Sequence, residues 1–144
     1  MEIKTIEDCF KLRLLRKINP SKEKSIRSLE LSKCQLKEAG YLFEKDFFRY
    51  VVVSSYMAMF HAARAVLYSD GIQEKNHFAI YIYLKENYSK IIPINIINII
   101  NIYRIERHEA VYGLGYEANK EEAEISIKDA ESFVDAMESI LKKK

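Results

Sequence analysis

The sequence predicts an all-α protein, an up-and-down four-helix bundle with an extra short N-terminal helix. Only four Gly and two Pro occur in 144 residues, so turns are few and helices can be long. Apolar residues recur every three or four positions along most of the chain, which is the spacing of an amphipathic helix. No run of alternating apolar and polar residues predicts a strand.

The N-terminal segment is expected to form the short extra helix, over residues 3–18. Its apolar residues recur every four positions: Ile6, Phe10, Leu14 and Ile18. Pro20 ends it, because proline restricts the residue before it and cannot continue a helix interior. We therefore divide the chain into an N-terminal helical extension, 1–20, and a helical bundle, 21–144.

Two long helices are predicted next, over 20–43 and 47–68. Ser21 is a start signal for the first, and Asp46 suits the cap of the second. The inner side of the first is marked by Ile26, Leu29, Lys33, Leu36, Ala39 and Gly40. The second is rich in alanine, which favours helix over the strand that its valines would allow. Gly71 suits the left-handed position at its C-terminal end.

Three further helical segments follow, over 75–88, 93–112 and from Asn119 to 141. The middle one repeats Ile-Asn-Ile with a period of three, so its asparagines wind around the helix and the rest of its surface stays apolar. Such a helix is buried on several sides or covered by a second subunit. Ile97 and Ile100 are the expected contacts of that subunit. Asn119 is the expected cap of the last helix.

Composition narrows the protein class. The length fits one domain, and the 49% hydrophobic content suits a globular protein with a real core. The net charge of +2 is too small to indicate nucleic-acid binding by itself. Cys9 and Cys34 lack metal or redox spacing, and their expected state is two reduced thiols. With neither a signal pattern nor a membrane-spanning run, the expected location is cytoplasmic, without a membrane.

A cluster of polar residues at the end of the Ile-rich helix is the candidate site. Arg104 and His108 lie four positions apart and therefore share one helix face. Arg107 and Tyr112 are five apart and come close only if the helix end bends or unwinds at Gly113. Guanidinium groups suit phosphate, and an imidazole can transfer protons near neutral pH. This combination fits phosphodiester chemistry without a metal.

The alternative for this cluster is a solvated helix end. Glu106 and Glu109 are neighbours of the arginines, and exposed Arg–Glu pairs are common and contribute little. Either a phosphate site or such ion pairs would account for the pattern.

His61 and Arg64 are further candidates for ligand binding, three positions apart on an apolar helix. The alternative is a core histidine bonded to a backbone group or a tyrosine, and an arginine paired with a glutamate. His77 stands at a helix start, where a capping or surface role is expected. The histidine spacings do not predict a metal site, and no glycine-rich loop or nucleophile motif predicts a cofactor.

These residues resemble the HEPN domains, small helical proteins often encoded beside a minimal nucleotidyltransferase. The resemblance covers about residues 25–141 and rests on three blocks in the family's order. The first block is 56–67, with the glycine at 71 after it. The second is RHEAVY at 107–112. The third is 121–134, which starts with EEAE and ends with AESFV.

The resemblance implies a four-helix core that forms homodimers, with a cleft at the interface lined by the arginine block of both subunits. Many members are metal-independent ribonucleases that act as toxins, with the nucleotidyltransferase as antitoxin. Their signature is Arg, four to six residues, then His. That signature is absent here, where Arg107-x4-Tyr112 stands in its place. A branch of the family has this tyrosine, usually after an Asp, where this chain has Val111.

Three functions are therefore considered. The first is a homodimeric partner of a nucleotidyltransferase that binds nucleotide or RNA phosphate through Arg104, Arg107, His108 and Tyr112. The second is a weak ribonuclease in which Arg107 holds the phosphate and His108 or Tyr112 moves the proton. The third is a purely structural dimer. In related systems the partner adds AMP to a tyrosine, which here would be Tyr112 or, as the second choice, Tyr116.

Overall fold

The computed structural model describes residues 2–144 and confirms the all-α bundle. Its elements are, in order, α1 (Ile6–Lys11), β1 (Leu15–Lys17), α2 (Lys22–Glu44), α3 (Phe48–Asp70), β2 (Ile72–Glu74), α4 (His77–Tyr88), α5 (Ile94–Tyr112) and α6 (Lys120–Lys142). Four helices are long, and two, α1 and α4, are short. The central helix is α3, which packs against α2, α5 and α6.

The predicted helix over 3–18 is wrong beyond Lys11. A capping box at Thr5 starts α1, and the chain then turns through Arg13, whose φ of 58° is left-handed. Leu15–Lys17 continues as β1 and pairs antiparallel with β2. The prediction that the chain has no strand is therefore also wrong. Three residues are too short to show a period, and their partner strand lies far away in the sequence.

The contact between α2 and α3 rests on serines that the apolar pattern of α2 does not reveal. Their hydroxyls donate to backbone carbonyls of α3: Ser25 to Ala65 at 2.8 Å, Ser28 to His61 at 2.7 Å and Ser32 to Ala58 at 2.6 Å. Ile26, predicted on the inner side, is exposed. Small side chains let the two helices approach closely, and the carbonyls satisfy the buried hydroxyls.

The helix ends follow most of the predicted signals. The side chains of Ser21 and Asn119 accept from backbone N–H groups of the first turns of α2 and α6. Gly71 ends α3 with a φ of 78°, and a Cβ there would lie 2.8 Å from a backbone oxygen. Asp46 is not a cap. It makes the turn with a φ of 61°, and Phe47 precedes α3 without a side-chain cap.

The Ile-rich helix α5 buries the residues that were expected to contact a second subunit. Ile97 and Ile100 lie in the core of the single chain, so that prediction is wrong. The most exposed isoleucines of α5 are Ile102 and Ile105, at 55% and 51%, and Ile94 and Val111 near its two ends are exposed as well. The helix packs on α3, α4 and α6, and this packing selects which isoleucines are buried.

One helix in residues 2–144, α3, is long and apolar enough to cross a membrane. However, 72% of its most apolar window is buried inside the bundle. The central position of α3 in the core accounts for its composition.

Candidate functional site

An open cleft of about 300 Å³ lies between the start of α4 and the second half of α5. Five cationic or titratable side chains line it, together with two neutral neighbours: Lys75, His77, Arg104, Arg107, His108, Asn76 and Phe78. The cleft therefore brings together Arg104, Arg107 and His108 from one helix face, and adds His77 from a segment some thirty positions earlier.

Arg107 carries the most unusual atom of the cleft. Its Nε is buried and has no hydrogen-bond partner, and no other buried side-chain nitrogen or oxygen in residues 2–144 lacks one. An unsatisfied buried donor costs about 1–3 kcal/mol. The fold therefore does not use this donor, although the side chain of Arg107 lines the cleft.

Arg104 is held in place by neutral contacts. Its Nε donates to Asn101 Oδ1 at 3.0 Å, and its guanidinium lies 5.1 Å from the ring centre of Phe78. Neither Arg104 nor Arg107 forms an ion pair with Glu106 or Glu109 in the described part of the chain. The alternative of routine Arg–Glu pairs at a helix end is therefore not what the structure shows, and both charges face the cleft uncompensated.

His77, like Lys75, lines the cleft although the sequence did not place it there. The capping role belongs to Asn76, whose Oδ1 accepts from the N–H of Ala79 at 3.1 Å. The His77 ring stacks on Phe60 at 4.3 Å, and its Nδ1 lies 2.7 Å from the hydroxyl of Tyr56. The prediction of a capping or surface residue is wrong. No spacing signal could have found it, because its partners come from α3.

Burial determines the protonation states of His77 and Tyr56. It lowers the pKa of His77, and the charges of Arg107, Arg104 and Arg64 lower it further. Burial also raises the pKa of the Tyr56 hydroxyl well above its usual value, an effect that Arg104 and Arg107 only partly oppose. Both groups are therefore neutral at neutral pH.

Tyr112 lies at the rim rather than inside the cleft. Helix α5 continues to Tyr112, so the unwinding that would bring it to Arg107 does not occur before Gly113. The tyrosine is 64% exposed, and its ring lies 5.0 Å from that of His108. Its hydroxyl is accessible, but it does not line the space around the two arginines.

His61 and Arg64 line a different cleft, between α2 and α3, together with Lys24, Arg27, Ser28, Leu31 and Tyr68. Arg64 donates from Nε to Oε1 of Glu74 at 2.6 Å, which is the arginine–glutamate alternative considered above. Burial lowers the pKa of His61, as do Arg64 and His77. The structure thus separates these two candidates from the α5 cluster, and Glu74 is a partner that the sequence did not identify.

The remaining candidates for chemistry are few. Cys9 is buried and Cys34 exposed, and neither forms a disulfide. Within residues 2–144, no three His, Cys, Asp or Glu side chains are grouped in a way that could hold a metal ion.

Comparison with known proteins agrees with the helical fold. The family model described as HEPN domain matches residues 17–140. A protein of Methanocaldococcus jannaschii that carries the name "Putative toxin" is 31% identical in an alignment 127 residues long, and the match covers 79% of this chain and 86% of the relative. The helical bundle, the matched span and this relative lead to one conclusion: the chain belongs to the HEPN domain family.

Proposed function

We propose that this HEPN domain is a toxin-like module that binds the phosphate of a nucleotide or of RNA in the α4–α5 cleft. Arg107 would be the principal ligand, with Arg104 and His108 beside it. The observation that carries the proposal is the guanidinium of Arg107, which lines the cleft, has no ion pair and leaves its Nε without a partner within residues 2–144.

Phosphate is the ligand class that this arrangement favours. A guanidinium presents a planar fork of donors, which matches two oxygens of one phosphate. Two arginines without carboxylate partners leave a local positive charge that the chain's net charge of +2 does not reveal. A bound phosphate would accept hydrogen bonds from the guanidinium groups that line the cleft and would neutralise part of that charge.

The test compares two arginine-to-alanine variants. Arg107→Ala is expected to lose retention of labelled single-stranded RNA and of AMP, measured by fluorescence anisotropy and equilibrium dialysis. Arg49→Ala is the matched control, because Arg49 lies at the start of α3, outside the cleft, and its loss changes the net charge equally. Equal retention by Arg107→Ala and wild type would contradict the proposal and favour a purely structural dimer.

A homodimer is part of the proposal, with α5 and α6 as its surface. Ile102, Ile105 and Ile125 are exposed apolar side chains on these helices. A second copy covering them would remove that apolar area from water. Ile102→Glu is expected to give a folded monomer in light scattering, whereas Ile97→Glu should unfold the chain because Ile97 is buried. A wild-type monomer, or an unchanged Ile102→Glu dimer, would contradict this surface.

A metal-independent ribonuclease is the second candidate function. It is favoured because the cleft holds two imidazoles, His77 and His108, although the sequence lacks the Arg-x4-6-His signature. General acid–base catalysis contributes roughly 10²–10⁴-fold, so an imidazole near a bound phosphate matters. Cleavage of total RNA in EDTA by wild type, and its loss in Arg107→Ala, would support this activity. Cleavage that EDTA stops would contradict it.

We further propose a nucleotidyltransferase partner in the cytoplasm, as in a toxin–antitoxin pair. Its target would be Tyr112, whose hydroxyl is more accessible than that of the half-buried Tyr116. The tyrosine oxygen would attack the α-phosphate of ATP and release pyrophosphate. Mass spectrometry after incubation with such an enzyme and ATP should show the AMP adduct on wild type. An unchanged adduct on Tyr112→Phe would exclude this position.

A further inference from the structure

We infer that His77 is a fixed, neutral hydrogen-bond donor of the α4–α5 cleft, presenting its Nε2–H to an oxygen of the bound phosphate. This role rests on the proposed function, since it concerns the same site and ligand. It assigns to His77 a binding role that is distinct from proton transfer.

The first step concerns the direction of the hydrogen bond between Tyr56 and His77. Tyr56 is only 1% exposed, and Nδ1 of His77, at 2.7 Å, is the partner of its hydroxyl. If Nδ1 carried the proton and donated, the hydroxyl hydrogen of Tyr56 would be buried without an acceptor, at a cost of about 1–3 kcal/mol. The arrangement in which the Tyr56 hydroxyl donates to Nδ1 is therefore favoured.

The second step follows from the chemistry of imidazole. A neutral ring carries one N–H, so a ring whose Nδ1 accepts must carry its proton on Nε2. Protonating the ring would turn Nδ1 into a donor and break the bond that Tyr56 makes. The neighbouring Arg104 and Arg107 charges oppose the same protonation. His77 therefore remains a neutral donor.

The third step is the position of Nε2. It forms no hydrogen bond in residues 2–144. Among the side-chain nitrogens and oxygens of these residues, however, Arg107 Nε is the only one that is both buried and without a partner. Nε2 must then be reached by solvent, and His77 lines the cleft. Stacking on Phe60 at 4.3 Å fixes the plane of the ring. The ring thus offers one oriented donor beside two arginines, without adding a charge.

The tautomer is tested directly by NMR of the imidazole nitrogens, with the His77 signals assigned by comparison with His77→Gln. In wild type at neutral pH, Nε2 is expected to give the protonated-type signal and Nδ1 the unprotonated type. Tyr56→Phe keeps the ring but removes the hydroxyl, and it should give a mixture of tautomers. A wild-type His77 that is cationic, or that carries its proton on Nδ1, would overturn the inference.

Binding of labelled single-stranded RNA tests the donor. His77→Gln can place an amide N–H near the position of Nε2, whereas His77→Leu offers no donor. We expect His77→Leu to weaken binding about tenfold, and His77→Gln to stay close to wild type. Thermal melting checks that both variants fold. If His77→Leu fails to fold, Tyr56→Phe provides the binding test, with a loss of a few-fold expected.

The outcomes separate this inference from the proposed function. Wild-type affinity in both His77→Leu and Tyr56→Phe, with binding lost in Arg107→Ala, would overturn the role of His77 and leave the phosphate site standing. Binding that is absent from wild type would overturn both. Equal losses in His77→Gln and His77→Leu would show that the donor is not what RNA senses, and would also overturn the inference.

Discussion

Two arginines on neighbouring helices, each near a histidine in the sequence, have opposite surroundings. Arg64 on α3 donates to Glu74 at 2.6 Å, and its guanidinium also lies 5.3 Å from the ring centre of Phe60. Arg107 on α5 has a buried Nε with no partner in residues 2–144. The fold pairs the first charge with a carboxylate and supplies no carboxylate to the second within residues 2–144. Under the proposed function, the presence of a carboxylate partner distinguishes the structural cation from the one that binds phosphate.

The largest effect is expected on stability, from Arg64→Ala. This change removes the cationic partner of the Glu74 carboxylate, whose side chain is 6% exposed, and leaves it only the side-chain amide of Gln73 as a donor. We expect a loss of about 3 kcal/mol in the free energy of unfolding, at the low end for a buried pair because Arg64 is partly exposed. Urea denaturation measures it. A loss as small as that of an exposed pair would show that Arg64 is not structural.

Arg107→Ala should show the opposite pattern. Its buried Nε makes no hydrogen bond that the variant would lose, so the free energy of unfolding should change by less than about 1 kcal/mol. RNA affinity should fall about ten- to a hundredfold, the range for hydrogen bonds to charged groups. Anisotropy and urea denaturation on one preparation give both values. A large loss of stability with unchanged affinity would reverse the comparison.

The double variant Arg64→Ala with Glu74→Gln sharpens the first result. Removing the carboxylate charge together with its partner avoids an uncompensated buried ion, so much of the lost stability should return. We expect the double variant to recover about 1–2 kcal/mol relative to Arg64→Ala. The measurement is again urea denaturation, as a double-mutant cycle that includes Glu74→Gln alone. Strict additivity of the two single changes would contradict a coupled pair.

The smallest effect is expected in the pH dependence of stability. Burial and neighbouring arginines lower the pKa of both His61 and His77 from 6.5, so the unfolded chain binds protons more readily than the folded one. The contribution of these two histidines to the free energy of unfolding is fully present above about pH 6.5. It is lost as the pH falls through their pKa values in the folded protein. The melting temperature should therefore decrease on acidification.

His77→Gln should remove more of this dependence than His61→Gln. His77 lies near three arginine charges, two of which have no carboxylate partner, whereas Glu74 accompanies the arginine beside His61. Melting curves across the acidic range, with each variant compared with wild type, test the order. The reverse order would mean that the unpaired charges do not act on His77.

Local signals predicted much of the fold because they act within one turn of helix. Ser21 and Asn119 hold caps because their oxygens lie within reach of N–H groups three residues on. The strand at Leu15–Lys17 had no such signal, since its pairing with Ile72–Glu74 is made across the fold. Likewise, the period of the Ile-rich helix could not tell which isoleucines face α3, α4 and α6.

The candidate site was predictable in part, for the same reason. Arg104 and His108 share a face because four residues make about one helical turn, and this follows from the sequence. His77 joins them only because α3 supplies Tyr56 and Phe60 to hold its ring. Tyr112 was placed with Arg107 on the condition that the helix unwound, and the intact end of α5 leaves it at the rim.

By itself, the sequence determined the helical class, most helix boundaries, the family resemblance and the arginine block. These depend on residue type and spacing over a few positions, where backbone geometry is nearly fixed. The tertiary structure alone decided which arginine is paired, which isoleucines are buried and which histidine enters the cleft. Each of these depends on what a distant segment brings within a few ångströms, because hydrogen bonds and ion pairs act only over that range.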